Sequence, residues 1–166
     1  MVADELSRRL QAPFIPGRGE YIRASVVTGD VTLHLIKPTT FMNRSGTAVA
    51  EALEHLGLTP DAILIVFDDF QLPLGTLRLR PQGSDGGHNG LGSVIWTLGT
   101  DEVPRLRLGI GRDLMPSGEE KKEFVLDPFD PEEFDSARRM VSRAADAALT
   151  FGTFGIDRAM NVHNTQ

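Results

Sequence analysis

Val2, Leu6 and Leu10 recur at helical spacing and stop before Pro13, Pro16 and Gly17, so the chain opens on a helix followed by a loop. Two β-branched-rich stretches, Tyr21 to Val27 and Val31 to Ile36, flank Thr28-Gly29-Asp30 and predict a hairpin in which Val31, Leu33 and Leu35 share a face. Val49, Ala52, Leu53 and Leu56 return to helical spacing, with Asn43 or Ser45 as the expected cap and Gly57 as the terminator. The apolar run Ala62 to Phe67, closed by Asp68-Asp69, predicts a strand buried on both faces. Thr76 to Arg80 alternates as a half-exposed strand and Arg105 to Ile110 alternates again as a strand, so the arginines of each share one face. Between them lie a loop from Pro81 to Gly92, with glycines at 83, 86, 87, 90 and 92, and a short helix carrying Leu91, Val94, Ile95 and Leu98. Asp130-Pro131-Glu132-Glu133 places a cap, a proline and acids at the positive end of a helix expected to run to about Thr150.

Strands and helices interleaved in this way predict one α/β domain over residues 1–166, a three-layer α/β/α sandwich around a mixed, partly parallel sheet. Trp96 is expected in the core or at its edge. With 40% hydrophobic and 24% charged residues the chain can build one core, and no apolar run approaches the ~18 residues that span a bilayer. Met1 to Leu10 has early acids and no apolar segment, so the expected location is the cytoplasm. With no cysteine and four histidines, neither thiol chemistry nor a metal site is expected.

A net charge of −6 argues against an unselective nucleic-acid binder. The charge is uneven, however. Seven bases (Arg78, Arg80, Arg105, Arg107, Arg112, Lys121, Lys122) face six acids between Arg78 and Lys122, whereas Glu123 to Asp135 holds six acids and no base. This distribution permits a modest basic face on an acidic protein.

Three polar clusters stand at ends of predicted strands, where α/β folds place their sites. In Phe41-Met42-Asn43 the amide can meet a substrate carbonyl and the flanking side chains an apolar or nucleobase face; the simpler alternative is an N-cap Asn beside core Phe and Met. Asp68-Asp69 can orient an imidazole, or can accept backbone N–H groups in an Asx-turn. In Gly83-Ser84-Asp85-Gly86-Gly87-His88-Asn89-Gly90, glycines on both sides of a His-Asn pair let backbone approach a bulky ligand, and the Gly-Lys-Ser/Thr ending of a phosphate loop is absent. Arg78, Arg80, Arg105 and Arg107 have the spacing of residues that track a phosphate backbone, and equally that of a solvated strand face. His34, His55 and His163 have no convincing partners and receive no role.

Lys37-Pro38-Thr39-Thr40-Phe41-Met42-Asn43 and Gly86-Gly87-His88-Asn89-Gly90 resemble, in kind, order and spacing, the bacterial peptidyl-tRNA hydrolase family. The resemblance extends from the first helix to Asp157-Arg158-Ala159-Met160-Asn161. It implies a monomeric α/β sandwich that hydrolyses the ester between a peptide and the terminal ribose of tRNA, without a cofactor. By this resemblance Asn43 binds substrate with Phe41 and Met42 beside it, Asp68 holds the catalytic histidine in its basic form, and His88 with Asn89 contacts substrate and the tRNA end. Arg80 and Arg107 fall where the family carries bases for acceptor-stem phosphates.

The match departs at the front. The family's opening strand, its Gly-x-x-Asn-Pro-Gly turn and the Thr-Arg-His-Asn sequence holding the general base have no counterpart here. The expectation is therefore an N-terminally clipped hydrolase of marginal stability, since each large apolar side chain left without its burial forfeits ~1.5–3 kcal/mol. The alternative expectations are an inactive relative that binds RNA, and a site in which His88 itself serves as base.

Overall fold

The computed structural model describes residues 1–112 and 127–164; Lys121, Lys122 and the acids Asp113, Glu119, Glu120 and Glu123 lie outside them. The elements are α1 (Val2–Arg9), β1 (Ile15–Pro16), β2 (Tyr21–Thr28), β3 (Val31–Pro38), α2 (Ser45–Leu56), β4 (Ile65–Pro73), β5 (Leu77–Arg80), α3 (Asn89–Leu98), β6 (Arg105–Gly111) and α4 (Phe134–His163). Among the described residues no helix is long and apolar enough to cross a membrane.

The expected α/β layering is present, with the strands divided between two sheets of order β1-β2-β3 and β4-β6-β5. The first is antiparallel, and β2 and β3 meet with Thr28 paired to Val31, so Gly29 (φ 60°) and Asp30 alone form the turn. The second is mixed: β4 runs parallel to β6, and β5 antiparallel to it. Leu77, Leu79, Leu106 and Leu108 face a core shared with Val2 and Leu6 of α1 and Met140 and Ala144 of α4. Ile65 joins Val49, Leu53 and Val94 in a second core beneath α2 and α3. Because Ile65 is opposite Arg105 rather than Leu106, alternation places these two helix layers on opposite faces of the β4-β6-β5 sheet.

Several boundaries differ from the sequence expectation. Pro60–Ala62 is a 3-10 turn, and the strand predicted at Ala62 begins at Ile65 and continues through Asp68 and Asp69 to Pro73. The acids therefore lie within the strand, since β6 offers partners as far as Gly109 and Gly111, where a Cβ would strike the Leu72, Pro73 or Phe70 carbonyls. Nor is this strand buried on both faces: β4 is an edge of its sheet, and Val66 is 36% exposed. Neither Asn43 nor Ser45 caps α2, because a 3-10 turn at Met42–Arg44 satisfies the entry, with Arg44 N–H donating to Phe41 O at 2.9 Å. Helix α4 passes Thr150, breaks at Gly155 (φ 79°, ψ 178°) and resumes to His163. Gly152 lies against Leu33, whose Cδ2 a Cβ at that position would displace. Trp96, expected in or near the core, is 85% exposed on α3.

Besides Val2 and Leu6 in the core, charged contacts tie helix α1 to the rest of the fold. Arg9 donates to Glu5 at 2.6 Å and to Asp146 and Ser142 of α4 at 2.7 Å each. Hydrogen bonds from Arg8 and then Arg9 hold the Glu5 carboxyl at about 2, against an ordinary 4.5, and Lys37 followed by the chain's ammonium lowers Asp4 from 3.8 to about 2. Depressed folded values mean stabilisation that is complete above the ordinary value and lost as pH falls toward 2. A Glu5→Gln variant should therefore melt below the parent at pH 7, with the gap closing between pH 4.5 and 2. A gap that stays constant in thermal melts across that interval would contradict this.

Candidate active site

The glycine loop before α3 is pinned from three directions. Asp85 Oδ1 accepts from Gly87 N–H at 2.9 Å, Gln71 Nε2 donates to the Gly86 carbonyl at 3.2 Å, and the Arg105 guanidinium donates to the carbonyls of Gly83 and Ser84. Gly86 and Gly87 take φ of 59° and 83°, a region that side chains avoid. The loop delivers His88 as the N-cap of α3, with Nδ1 accepting from Leu91 N–H at 3.1 Å. That bond assigns the tautomer: with the Nδ1 lone pair engaged, the neutral ring carries its proton on Nε2. Nε2 lies 3.9 Å from Asp68 Oδ1, and the ring packs at 4.7 Å between centroids on Phe67.

The other motif reaches the same place because two helices cross closely. A Cβ at Gly46 would collide with Ser93 O and Thr97 Oγ1, and Gly46 N–H donates to Ser93 Oγ at 3.0 Å. This contact brings the Met42–Arg44 turn onto the start of α3, where Met42 Sδ lies so near Gly90 that a Cβ there would be 2.5 Å away. Phe41 is 80% and Met42 58% exposed, so neither is a core residue. Asn43 and Asn89 are exposed, and among the described residues their amides make no hydrogen bond. Two free amides, an N–H and a carboxylate thus come from segments that meet at the start of α3, a set able to hold a carbonyl and neighbouring hydroxyls.

The paired acids have different tasks. Asp69 accepts from Gln71 N–H at 2.8 Å, the Asx-turn alternative, and takes the Arg107 Nε–H at 2.5 Å. Asp68 has neither bond and is left facing His88. The four arginines do line one face, with Arg78 opposite Arg107 and Arg80 opposite Arg105. Arg105, however, is 2% exposed and donates to the carbonyls of Val103, Asp101 and Ser84 at 2.8, 3.0 and 3.1 Å as well as to Gly83. Burial pulls its pKa down despite nearby Asp101, and it cannot reach a phosphate because the loop folds over it. Arg80 is exposed and has no ion pair among the described residues.

The sequence model described as Peptidyl-tRNA hydrolase matches residues 1–166. The chain belongs to this family. It is 44% identical over 163 residues to the peptidyl-tRNA hydrolase of Chlorobaculum parvum, covering 98% of this chain and 85% of that protein. The Salinibacter ruber peptidyl-tRNA hydrolase is 45% identical over 169 residues with the same shares. A crystal structure of peptidyl-tRNA hydrolase from Acinetobacter baumannii superposes with a TM-score of 0.89 at 26% identity, covering 99% of this chain and 83% of that one.

For a peptidyl-tRNA hydrolase, the sequence reading left out the residues that hold the site together: Gly46 and Ser93 at the helix crossing, Gln71 under the loop, and Phe67 against the imidazole. Gly46, at the second position of α2, was the one with a signal, since glycine is a poor helix former and its presence there implies close approach.

Proposed function

We propose that this chain takes peptidyl-tRNA as substrate and acts on the ester between the peptide and the terminal ribose, recycling tRNA from abortive translation. In this reading it works as a cytoplasmic monomer without metal or cofactor. The observation that carries the reading is the convergence of Asp68, the tautomerically fixed His88 and the unpartnered amides of Asn43 and Asn89 at one place. Asn43 would donate to a substrate carbonyl between Phe41 and Met42, while His88 Nε2–H and Asn89 would meet the sugar end of the tRNA. Arg80 would take a stem phosphate, and Arg107 would do so while shared with Asp69.

The geometry disfavours His88 as the general base. Its Nδ1 lone pair is occupied and its Nε2 carries hydrogen, so neither nitrogen is free to remove a proton from water. General-base assistance is typically worth ~10²–10⁴ in rate, and hydrolysis by these 166 residues alone is expected to fall short by that factor. The same observation favours a second reading, an RNA-binding relative without turnover.

Purified chain incubated with an N-acylated aminoacyl-tRNA, with release of the acyl-amino acid followed over time, separates these. Robust hydrolysis lost in Asp68→Asn would place the base within the chain. Binding without hydrolysis, restored when a strand and a Thr-Arg-His-Asn segment are added ahead of Met1, would bear out the clipped-hydrolase expectation. Binding without hydrolysis in both forms would favour the RNA-binding relative, and no binding would sink the reading.

A further inference from the structure

A cleft of about 540 Å³ lies between the open edge of β5 and helix α4, with Arg78 on the strand side and Arg139 and Arg143, one helical turn apart, on the other. Asn164 closes its far end by pairing with the strand as another strand would. Its Oδ1 accepts from Leu79 N–H at 2.7 Å and its Nδ2 donates to Leu79 O at 3.1 Å. His163 also lines the cleft, bonded to Thr150 at 2.9 Å, and burial keeps its pKa below the usual imidazole value even though Asp146 pulls the other way. The positive charge of the cleft therefore comes from guanidinium groups, which stay protonated at any working pH.

Arg8, Arg9, Arg44, Arg107 and Arg112 each pair with a carboxylate. Among the described residues no carboxylate lines the cleft, and Arg78, Arg139 and Arg143 have no ion pair. Among the described residues Arg139 donates to Ser136 Oγ at 3.2 Å and Arg143 to the Gly75 carbonyl at 3.1 Å. Asp135, four residues before Arg139 and suitably spaced for a helical pair, makes none. A solvated helix face accounts for two exposed arginines, but not for a third on a neighbouring strand of a chain with 23 acids and 17 bases.

We infer that this cleft is a second contact site for RNA phosphates, separate from the ester-binding site, in which Arg78, Arg139 and Arg143 hold the backbone of the bound tRNA. The inference rests on the proposed substrate. Guanidinium forks match phosphate oxygens, and three of them spread over an open cleft suit successive phosphates of a backbone better than one small anion. The cleft is also continuous with the proposed stem contact, because Arg78 and Arg80 sit two residues apart on β5, roughly 6.6 Å at the usual strand rise.

The test is the affinity of the full chain for uncharged tRNA, measured by filter binding between 50 and 300 mM salt and plotted as log Kd against log salt concentration. Arg139→Gln with Arg143→Gln should reduce the magnitude of the slope by about 2, since each lost phosphate contact removes about 1, and should weaken binding at least tenfold at the lowest salt. Both side chains are exposed, so the melting temperature should not change. An unchanged slope in the double variant, with Arg80→Gln still reducing it, overturns the second site and leaves the proposed function standing. A parent chain that shows no salt-dependent binding of tRNA overturns both.

Discussion

Replacing Arg105 by Met is expected to destabilise the protein by ~3–5 kcal/mol and to loosen the loop that presents His88. Methionine can fill the space of the side-chain stem, but it leaves the carbonyls of Gly83, Ser84, Asp101 and Val103 without their shared donor. A buried acceptor left unsatisfied costs ~1–3 kcal/mol. Gly83 and Ser84 can turn their carbonyls to water if the loop lifts, which lowers the energetic cost and transfers it to the geometry of the site. The total is of the size seen when a buried charged network loses one member. For a chain of this length it corresponds to a fall in melting temperature of ~10 °C. Arg105→Lys should recover only part of it, because an ammonium has three donors and no fork for acceptors on two sides. Thermal melts together with hydrogen exchange at the amides of residues 83–88 check this. A change under ~2 °C with undisturbed exchange would mean that the loop holds itself.

The arginines show where sequence stops being informative. Arg78, Arg80, Arg105 and Arg107 occupy equivalent alternating positions, and the pattern correctly puts them on one face. Their fates then diverge for reasons that alternation does not contain: the 83–84 backbone folds over Arg105, Asp69 claims Arg107, and Arg80 stays open. Asp68 and Asp69 diverge likewise, because the turn toward Gln71 uses one carboxylate and not its neighbour. Local backbone chemistry was far more legible. Gly57 ends α2 at φ 65° and Gly29 makes the hairpin turn at φ 60°, both at positions where a side chain would be strained.

Exposure of apolar residues was the least legible property. Phe41, Met42 and Trp96 are large apolar side chains like the leucines of the core, and only the crossing of α2 over α3 decides that Met42 lies beside His88. That crossing depends on Gly46 meeting Ser93, 47 residues away. Motif spacing picked out the candidate residues, while the contacts that bring their segments together are tertiary and leave only a glycine as a trace.

His88→Asn should lower kcat/KM for hydrolysis of an N-acylated aminoacyl-tRNA by ~10²-fold, about the effect of deleting one donor aimed at a reacting group, while costing less than ~1 kcal/mol of stability. Asparagine is among the best N-cap residues, so it can take over the Leu91 N–H that Nδ1 now accepts and preserve the start of α3. It does not reproduce the Nε2–H held 3.9 Å from Asp68. His88→Ala loses the cap as well, and the difference in melting temperature between the two variants isolates the capping contribution. The pH–rate profile separates donor from base. An imidazole donates from Nε2 in both of its charge states, so a donor contributes no acid limb and the variant profile keeps its shape at reduced height. A base must be unprotonated, and its removal would erase the acid limb. Loss of that limb in His88→Asn would mean that Nδ1 releases Leu91 during turnover and that His88, against the geometry of the free site, takes the proton.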